Sequence, residues 1–227
     1  MSAGQLVLDL GHRPAHGRED FLVAPSNAAA VAWLDRWPAW PAPALAIHGP
    51  GGCGKSHLAQ VWRARSAALE IVRSSLSSGA LGERLGTACA AFVEDADRGV
   101  DEEALLHLHN MLAERGGHLL VTAREGPARW PLRLADLRSR LIAAPAVAVA
   151  APDETLIAAL LVKLFADRQL QVSADLVSYL VARMERSFDA ARRLVAALDR
   201  ASLAAQRRIT VPLARAVLAE LERVTES

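Results

Sequence analysis

The sequence has few cysteines and few aromatic residues, and its charges nearly balance. Cys53 and Cys89 are the two cysteines among 227 residues, which excludes a disulfide framework and argues against a cysteine-bound zinc site. The formal net charge of +1 gives no overall reason to expect binding to nucleic acid or to a membrane. We therefore expect a globular protein from a reducing compartment, large enough for one α/β domain and a smaller domain.

Long apolar runs are also missing. No stretch approaches the roughly 20 apolar residues that a membrane-spanning helix needs. The N-terminal residues do not lead from positive charge into an apolar signal region. We expect a cytoplasmic protein with no membrane partner.

The strongest motif is a glycine-rich stretch that follows a short apolar run. Residues 49–56 read G-P-G-G-C-G-K-S, which fits the phosphate-loop pattern G-x-x-x-x-G-K-[ST]. Glycines let successive backbone N–H groups point at phosphate oxygens, while Lys55 would meet the outer phosphates and Ser56 would bind Mg²⁺. The predicted nucleotide-binding residues are Gly49, Pro50, Gly51, Gly52, Cys53, Gly54, Lys55, Ser56 and His57.

Acidic residues follow a second buried-strand pattern, at residues 89–93. The side chains of Glu94 and Asp95 would lie opposite the phosphate loop, where one holds Mg²⁺ through water and the other orients the attacking water. We expect Asp97 and Asp101 to be solvated turn or cap residues. The predicted metal ligands are Ser56, Glu94 and Asp95, and the last two are also predicted to be catalytic.

Strand and helix patterns alternate as far as about residue 151. Five strand patterns separated by helical patterns predict an α/β fold with a parallel five-stranded sheet. Beyond Pro152 the strand pattern stops, and four helical segments follow, with Ser173, Ser187 and Thr210 as expected N-caps. We predict a flexible tail at 1–19, a nucleotide-binding domain at 20–151 and a small all-α lid domain at 152–227.

A short apolar stretch lies in the otherwise polar N-terminal tail. Residues 5–10 read Q-L-V-L-D-L, and such a stretch either adds a strand to its own domain or docks onto a partner as an extended peptide. It resembles the sliding-clamp-binding motif, in which a glutamine precedes spaced apolar anchors. The predicted partner-binding residues are Gln5, Leu6, Leu8 and Leu10.

These motifs together resemble those of the AAA+ ATPases, specifically the nucleotide-binding part of the replication initiator DnaA, over roughly residues 20–224. The element L-R-S-R-L at 137–141 resembles the arginine-finger box of that group. A full initiator would continue into a helix-turn-helix domain, whereas this sequence ends at Ser227, so we expect a regulator. Residues 198–212 resemble the Hda family of DnaA paralogues, and the N-terminal hexapeptide matches the clamp-binding motif of that family in place and pattern.

The resemblance implies a negative regulator of DNA replication initiation. Such a protein binds ADP or ATP with Mg²⁺, attaches to the sliding clamp of DNA polymerase III (the beta subunit), and stimulates hydrolysis of DnaA-bound ATP. Arg140 would be the catalytic arginine finger, acting in trans on DnaA. Contact with DNA would be mainly indirect, through the clamp, and the family pattern is compatible with a homodimer.

Two positions depart from the family pattern. The sensor-1 acidic or amide position falls on Arg124, and the sensor-2 arginine falls on Asp189, although Arg186 and Arg192 are near in sequence. We therefore expect a chain with weak intrinsic ATPase activity that retains its nucleotide. Two alternatives stay open: an autonomous AAA+ ATPase acting as a helicase-loader-like motor, which predicts turnover without partners, and a small-molecule P-loop kinase, against which the helical lid argues.

Overall fold

The computed structural model describes residues 23–77, 79 and 81–225. The hexapeptide at 5–10 lies outside these residues. The described part of the chain divides into two compact units, with the boundary between Ala150 and Ala151. No helix in this part combines the length and the apolar character that a membrane crossing requires.

The first unit is built on a parallel sheet. Its strands are β1 (Ala44–His48), β2 (Leu69–Ile71), β3 (Ala90–Val93), β4 (His118–Ala123) and β5 (Ala146–Ala148). They lie side by side in the order β2-β3-β4-β1-β5, and each pair is parallel. The predicted parallel five-stranded sheet is confirmed. Because β4 lies between β1 and β3, the loops that follow these three strands meet at one edge of the sheet.

Helices cover both faces of this sheet. They are α1 (Ala28–Asp35), α2 (Lys55–Ser66), α3 (Leu81–Leu85), α4 (Glu102–Glu114) and α5 (Ala135–Ala143). Side chains alternate along a strand, so Leu45 and Ile47 of β1 join the core formed with α1 and α2. Ala44 and Ala46 join the core formed with α3, α4 and α5. The result is a three-layer α/β/α unit.

The second unit consists of helices in its described residues. They are α6 (Glu154–Asp167), α7 (Ala174–Val181), α8 (Phe188–Ala205) and α9 (Val211–Thr225). Ser173 and Ser187 accept the backbone N–H of Leu176 and Ala190, so both predicted N-caps are confirmed. The unit has its own apolar core, in which Phe165 is fully buried. The four predicted lid helices are therefore present.

Candidate functional site

The loop between β1 and α2 is held tightly at its start. The Gly49 N–H donates to the carbonyl oxygen of Ala123, at 3.1 Å. A Cβ atom at Gly49 would lie 2.1 Å from the carbonyl oxygen of Val149, a distance that no side chain allows. At the other end of the loop, Gly54 has a φ of +99° directly before α2, in the region that favours glycine. The loop conformation thus requires glycine at positions 49 and 54.

The Lys55 amine lies inside this loop. Its Nζ donates to the carbonyl oxygens of Gly49 and Pro50, both at 2.8 Å, and lies 3.8 Å from the Cys53 sulfur. Lys55 is 8% exposed, so its charge is largely removed from water. Burial raises the pKa of the Cys53 thiol, an effect that the charge of Lys55 partly offsets, so Cys53 is a neutral packing residue of the loop. A phosphate bound by the loop would meet a positive charge that is already in place.

Glu94 follows β3 and lies close to the beginning of α2. Its Oε1 atom is buried and has no hydrogen-bond partner among the described residues. Burial raises the pKa of this carboxyl, whereas hydrogen bonding with the Ser56 side chain lowers it. A buried, unpartnered carboxylate oxygen beside a hydroxyl has the ligand chemistry that Mg²⁺ prefers. The structure therefore brings together two of the three predicted metal ligands, and they fit the ion.

Asp95 is oriented differently. Its backbone has a φ of +50°, which aspartate tolerates better than most residues, and its N–H donates to the Thr122 hydroxyl at 3.3 Å. The Asp95 carboxylate lies 3.9 Å from the Arg98 guanidinium. The described contacts thus join Asp95 to the turn that follows β3, while Glu94 interacts with Ser56.

Asp97 lies in the turn after β3, as predicted, but its carboxylate is bound by the backbone and not simply solvated. Its Oδ2 accepts the backbone N–H groups of Arg124, at 2.9 Å, and Glu125, at 3.4 Å, while its Oδ1 is buried. These partners lie 27 and 28 residues further along the chain, so no local pattern indicated them. Asp101 caps α4 by accepting the Ala104 N–H, and the prediction of a cap is confirmed there.

Arg124, the residue at the predicted sensor-1 position, follows β4 directly. A Cβ atom placed on Gly51 would lie 3.6 Å from Arg124 Nη2, so the guanidinium lies beside the middle of the phosphate loop. The loops after β1, β4 and β3 thus contribute three charged groups to one edge of the sheet: the Lys55 amine, the Arg124 guanidinium and the Glu94 carboxyl. The sequence predicted Lys55 and Glu94 as ligands and placed Arg124 at the sensor-1 position.

Arg140 lies on the surface of α5. Its Nε and Nη2 atoms donate to the two carboxylate oxygens of Asp136, at 3.0 and 3.1 Å, and 40% of its side chain is exposed. None of the described hydrogen bonds joins it to the phosphate loop. The helix itself is well fixed, because Leu137 and Leu141 are fully buried. Arg140 is therefore an exposed charge on a rigidly packed helix.

A carboxylate from α4 fixes the start of α5. Glu102 accepts the backbone N–H groups of Arg133, at 2.9 Å, and Leu134, at 2.6 Å. A helix begins with N–H groups that have no partner within the helix, and negative charge at this end is favourable. Glu102 supplies that charge from 32 residues earlier in the chain, a role that sequence reasoning missed because no local capping pattern is present.

In the helical unit, the predicted sensor-2 position Asp189 is exposed in the first turn of α8. The nearby Arg186 forms an ion pair with Glu154. Arg192 is exposed. The described contacts of this unit therefore engage Arg186 with a carboxylate of its own unit.

The second unit matches a known domain family. Residues 153–218 match the family model of the Hda lid domain. A comparison of the sequence with curated proteins gives no match. The lid match covers α6 to α8 and the first half of α9.

Solved structures share the fold of the chain. Domain III of the replication initiation protein DnaA from Thermotoga maritima is 17% identical and has a TM-score of 0.75, with 88% of this chain and 94% of that chain covered. AMPPCP-bound DnaA from Aquifex aeolicus is 13% identical at a TM-score of 0.66, over 83% and 66% of the two chains. The RuvB Holliday junction branch migration motor of Thermotoga maritima is 15% identical, with a TM-score of 0.66 and coverages of 86% and 67%.

These identities show the fold alone, whereas the family of the helical unit is given by its own match. The chain has the fold that DnaA domain III and RuvB share. The helical unit therefore matches the Hda lid domain, and the chain has the fold of domain III of DnaA.

Proposed function

We propose that the chain is a negative regulator of replication initiation that holds a nucleotide and activates the ATPase of DnaA. In this proposal Arg140 enters the ATP site of DnaA as an arginine finger, and residues 5–10 attach the chain to the sliding clamp of DNA polymerase III. The lid match and the DnaA-like fold support a partnership with DnaA. The observation that carries the proposal is the exposed Arg140 guanidinium on an anchored helix.

The geometry of α5 suits a residue that acts on another molecule. A finger arginine must reach the phosphates of a neighbour, so it has to be exposed while its backbone is held in place. Arg140 meets the first condition, and the burial of Leu137 and Leu141 with the Glu102 contacts meets the second. Such a residue contributes about 10³ to 10⁵ in rate.

The nucleotide site of the chain is proposed at the loop 49–57. ADP or ATP would be held by the backbone N–H groups of the loop and by Lys55, with Mg²⁺ on Ser56 and Glu94, and Asp95 close by. The buried oxygen of Glu94 supports this assignment, and AMPPCP is bound by a DnaA of the same fold. Bound nucleotide would stabilise the loop, and Mg²⁺ would supply the positive charge that the buried Glu94 carboxyl lacks.

The sliding clamp is the proposed anchor of the chain. Gln5, Leu6, Leu8 and Leu10 would bind it as an extended peptide. Attachment to a clamp that encircles DNA would raise the local concentration of the finger near DnaA. Contact with DNA would then be mainly indirect.

The test is hydrolysis of ATP prebound to DnaA, in the presence of clamp loaded on DNA. The unaltered chain should accelerate hydrolysis, and Arg140→Ala should lower the stimulated rate by about 10³-fold. Arg138→Ala is the matched control, because Arg138 is exposed on the same helix and should retain stimulation. Gln5→Ala should remove the dependence on clamp and leave nucleotide binding unchanged.

Two results would contradict the proposal. Full stimulation by Arg140→Ala would remove Arg140 from the finger role. ATP turnover by the chain alone, with no effect on DnaA, would favour the autonomous motor, which hydrolyses ATP at its own Lys55, Glu94 and Asp95.

A further inference from the structure

Helix α8 carries a row of exposed arginines on the side that points away from the core of its unit. Leu194, Val195 and Leu198 are buried in that core, so the opposite side of the helix meets solvent. The exposed residues are Arg192, Arg193 and Arg200 on the helix and Arg207 and Arg208 in the turn that follows it. We call these five residues the α8 arginine stripe.

The guanidinium groups of the stripe lack partners in the described chain. Within residues 23–77, 79 and 81–225, no ion pair or side-chain hydrogen bond engages them. Residues 189–208 contain two acids, Asp189 and Asp199, and the Asp199 carboxylate lies 3.9 Å from the Arg168 guanidinium of the same unit. One carboxylate is thus left to offset five positive charges, so the stripe is a strongly positive surface.

The backbone beneath the stripe is held in place. The buried leucines anchor α8, and in the turn after it the Arg207 N–H donates to the Ser202 carbonyl oxygen at 3.1 Å. The Ser202 hydroxyl donates to the Arg207 carbonyl oxygen at 2.5 Å. Ile209, directly after the stripe, is 8% exposed and packs into the core of the unit. A ligand of the stripe would therefore order side chains but no backbone, which lowers the entropy cost of binding.

We propose that the α8 arginine stripe binds the phosphate backbone of duplex DNA directly. This contact goes beyond the proposed function, in which the clamp mediates contact with DNA, and it does not depend on that function. From Arg193 to the end of α8 the helix rises about 18 Å, a length over which one DNA strand presents about five phosphates. A guanidinium offers a planar fork of donors that matches phosphate oxygens.

The surface between the arginines suits a phosphate backbone better than a protein partner. Ala196 and Ala204 separate the arginines along the helix, and Leu203, which is 71% exposed, is the one large apolar side chain exposed among the described residues of α8. A protein interface has an apolar core that is rich in aromatic residues. Residues 189–208 contain no aromatic residue, so none can stack on a base. The contact should therefore be independent of base sequence.

The experiment is a fluorescence anisotropy titration of the full chain with a short labelled DNA duplex, without clamp, DnaA or nucleotide. Binding should fall steeply between about 50 and 200 mM salt, because phosphate contacts release counterions. Arg193→Ala combined with Arg200→Ala should weaken binding at the lower salt by about tenfold or more and should reduce the slope of log K against log salt by about 2. Alanine favours the helix at both positions, so α8 should remain folded.

Two further double variants make the result specific. Arg193→Lys combined with Arg200→Lys keeps both charges and should retain the salt slope. The matched control is Arg63→Ala combined with Arg65→Ala, which removes the same charge from two half-exposed arginines of α2. This control should bind DNA within about twofold of the unaltered chain, because its arginines lie outside the stripe.

Three outcomes would overturn the proposal. Equal affinity and equal salt slope for the double alanine variant and the unaltered chain would show that DNA does not contact the stripe. An equal loss in the α2 control would show that net charge alone governs binding. If the unaltered chain binds no duplex at the lower salt, direct contact is refuted, and stripe-dependent binding of polyglutamate would then assign the surface to an acidic protein.

Discussion

The phosphate loop and α5 each carry a cation, but the two cations differ in burial and in the kind of partner they have. Lys55 is 8% exposed and donates to two backbone carbonyls of its own loop. Arg140 has a side chain that is 40% exposed and pairs with a carboxylate one turn earlier on its helix. Backbone partners cannot move away without refolding of the loop, whereas an exposed ion pair exchanges readily with water and salt. The cation proposed to bind a ligand in its own site is thus buried, and the one proposed to act on a neighbouring molecule is exposed.

The largest loss in the free energy of unfolding is expected on substitution of Gly49, where the loop tolerates no side chain. Gly49→Ala would place a Cβ atom 2.1 Å from the Val149 carbonyl, so the loop and the chain after β5 must separate. We expect a loss of about 3 kcal/mol or more in the free energy of unfolding, measured by urea titration. Gly51→Ala is the matched control, because the Cβ atom there would meet only ordinary contact distances; an equal loss in both variants would refute the steric argument.

Lys55→Ala should have the next largest effect. It leaves the carbonyl oxygens of Gly49 and Pro50 without their donor, which costs about 1–3 kcal/mol in the free energy of unfolding. The loss of the loop charge should also weaken ADP binding by about 100-fold or more. Thermal unfolding with and without ADP measures both effects, and an ADP-induced rise in melting temperature equal to that of the unaltered chain would contradict the role of Lys55.

The buried carboxyl of Glu94 should make the stability of the first unit depend on pH. Burial raises the folded-state pKa of Glu94 above its ordinary value of 4.5, so the folded state binds this proton more tightly than the unfolded state. The stabilisation that results is fully present below the unfolded pKa and is lost as the pH rises through the folded pKa. We expect the free energy of unfolding to fall less steeply above pH 4.5 in Glu94→Gln than in the unaltered chain.

Urea titrations from pH 4.5 to 7, without nucleotide or Mg²⁺, test this expectation. Parallel curves for the two proteins would show that Glu94 has the same pKa in the folded and unfolded states. Addition of Mg²⁺ with ADP should then stabilise the unaltered chain more than Glu94→Gln, because the ion needs the carboxylate.

The smallest effect is expected at Asp136. Asp136→Asn removes an exposed i, i+4 ion pair, which contributes about 0.3–0.5 kcal/mol to the free energy of unfolding. Release of Arg140 from this carboxylate should raise stimulation of DnaA by about twofold, the rate equivalent of that energy. A loss of DnaA stimulation as large as that caused by Arg140→Ala would instead show that Asp136 positions the Arg140 guanidinium.

The sequence predicted the parts of the site that depend on local spacing. The phosphate loop is a contiguous motif, so Gly49 to Ser56 were identified together, and Glu94 follows directly from the end of a strand pattern. The contacts of Asp97 and Glu102 were missed because their partners lie about 30 residues away along the chain. Such contacts depend on which strands are neighbours, and local sequence patterns do not determine the order of strands in a sheet.

Local sequence patterns predict the fold, whereas the assignments that remain untested concern contacts with other molecules. The alternation of apolar strands and amphipathic helices predicts a parallel sheet, and the sheet is present. The clamp-binding prediction for Gln5, Leu6, Leu8 and Leu10 concerns residues outside the described part, so it stays a prediction. The finger role of Arg140 needs a second molecule, so it also stays a prediction.

The Glu102 carboxylate links α4 to the start of α5 through hydrogen bonds. Glu102 belongs to the first turn of α4 and accepts backbone N–H groups at the start of α5. Helix α4 itself begins only a few residues after Glu94. We expect a displacement of the acidic end of β3 to move α5, which carries Arg140, through these Glu102 hydrogen bonds. In the proposed function, Glu102 would thus couple the position of Arg140 to the nucleotide site of the chain.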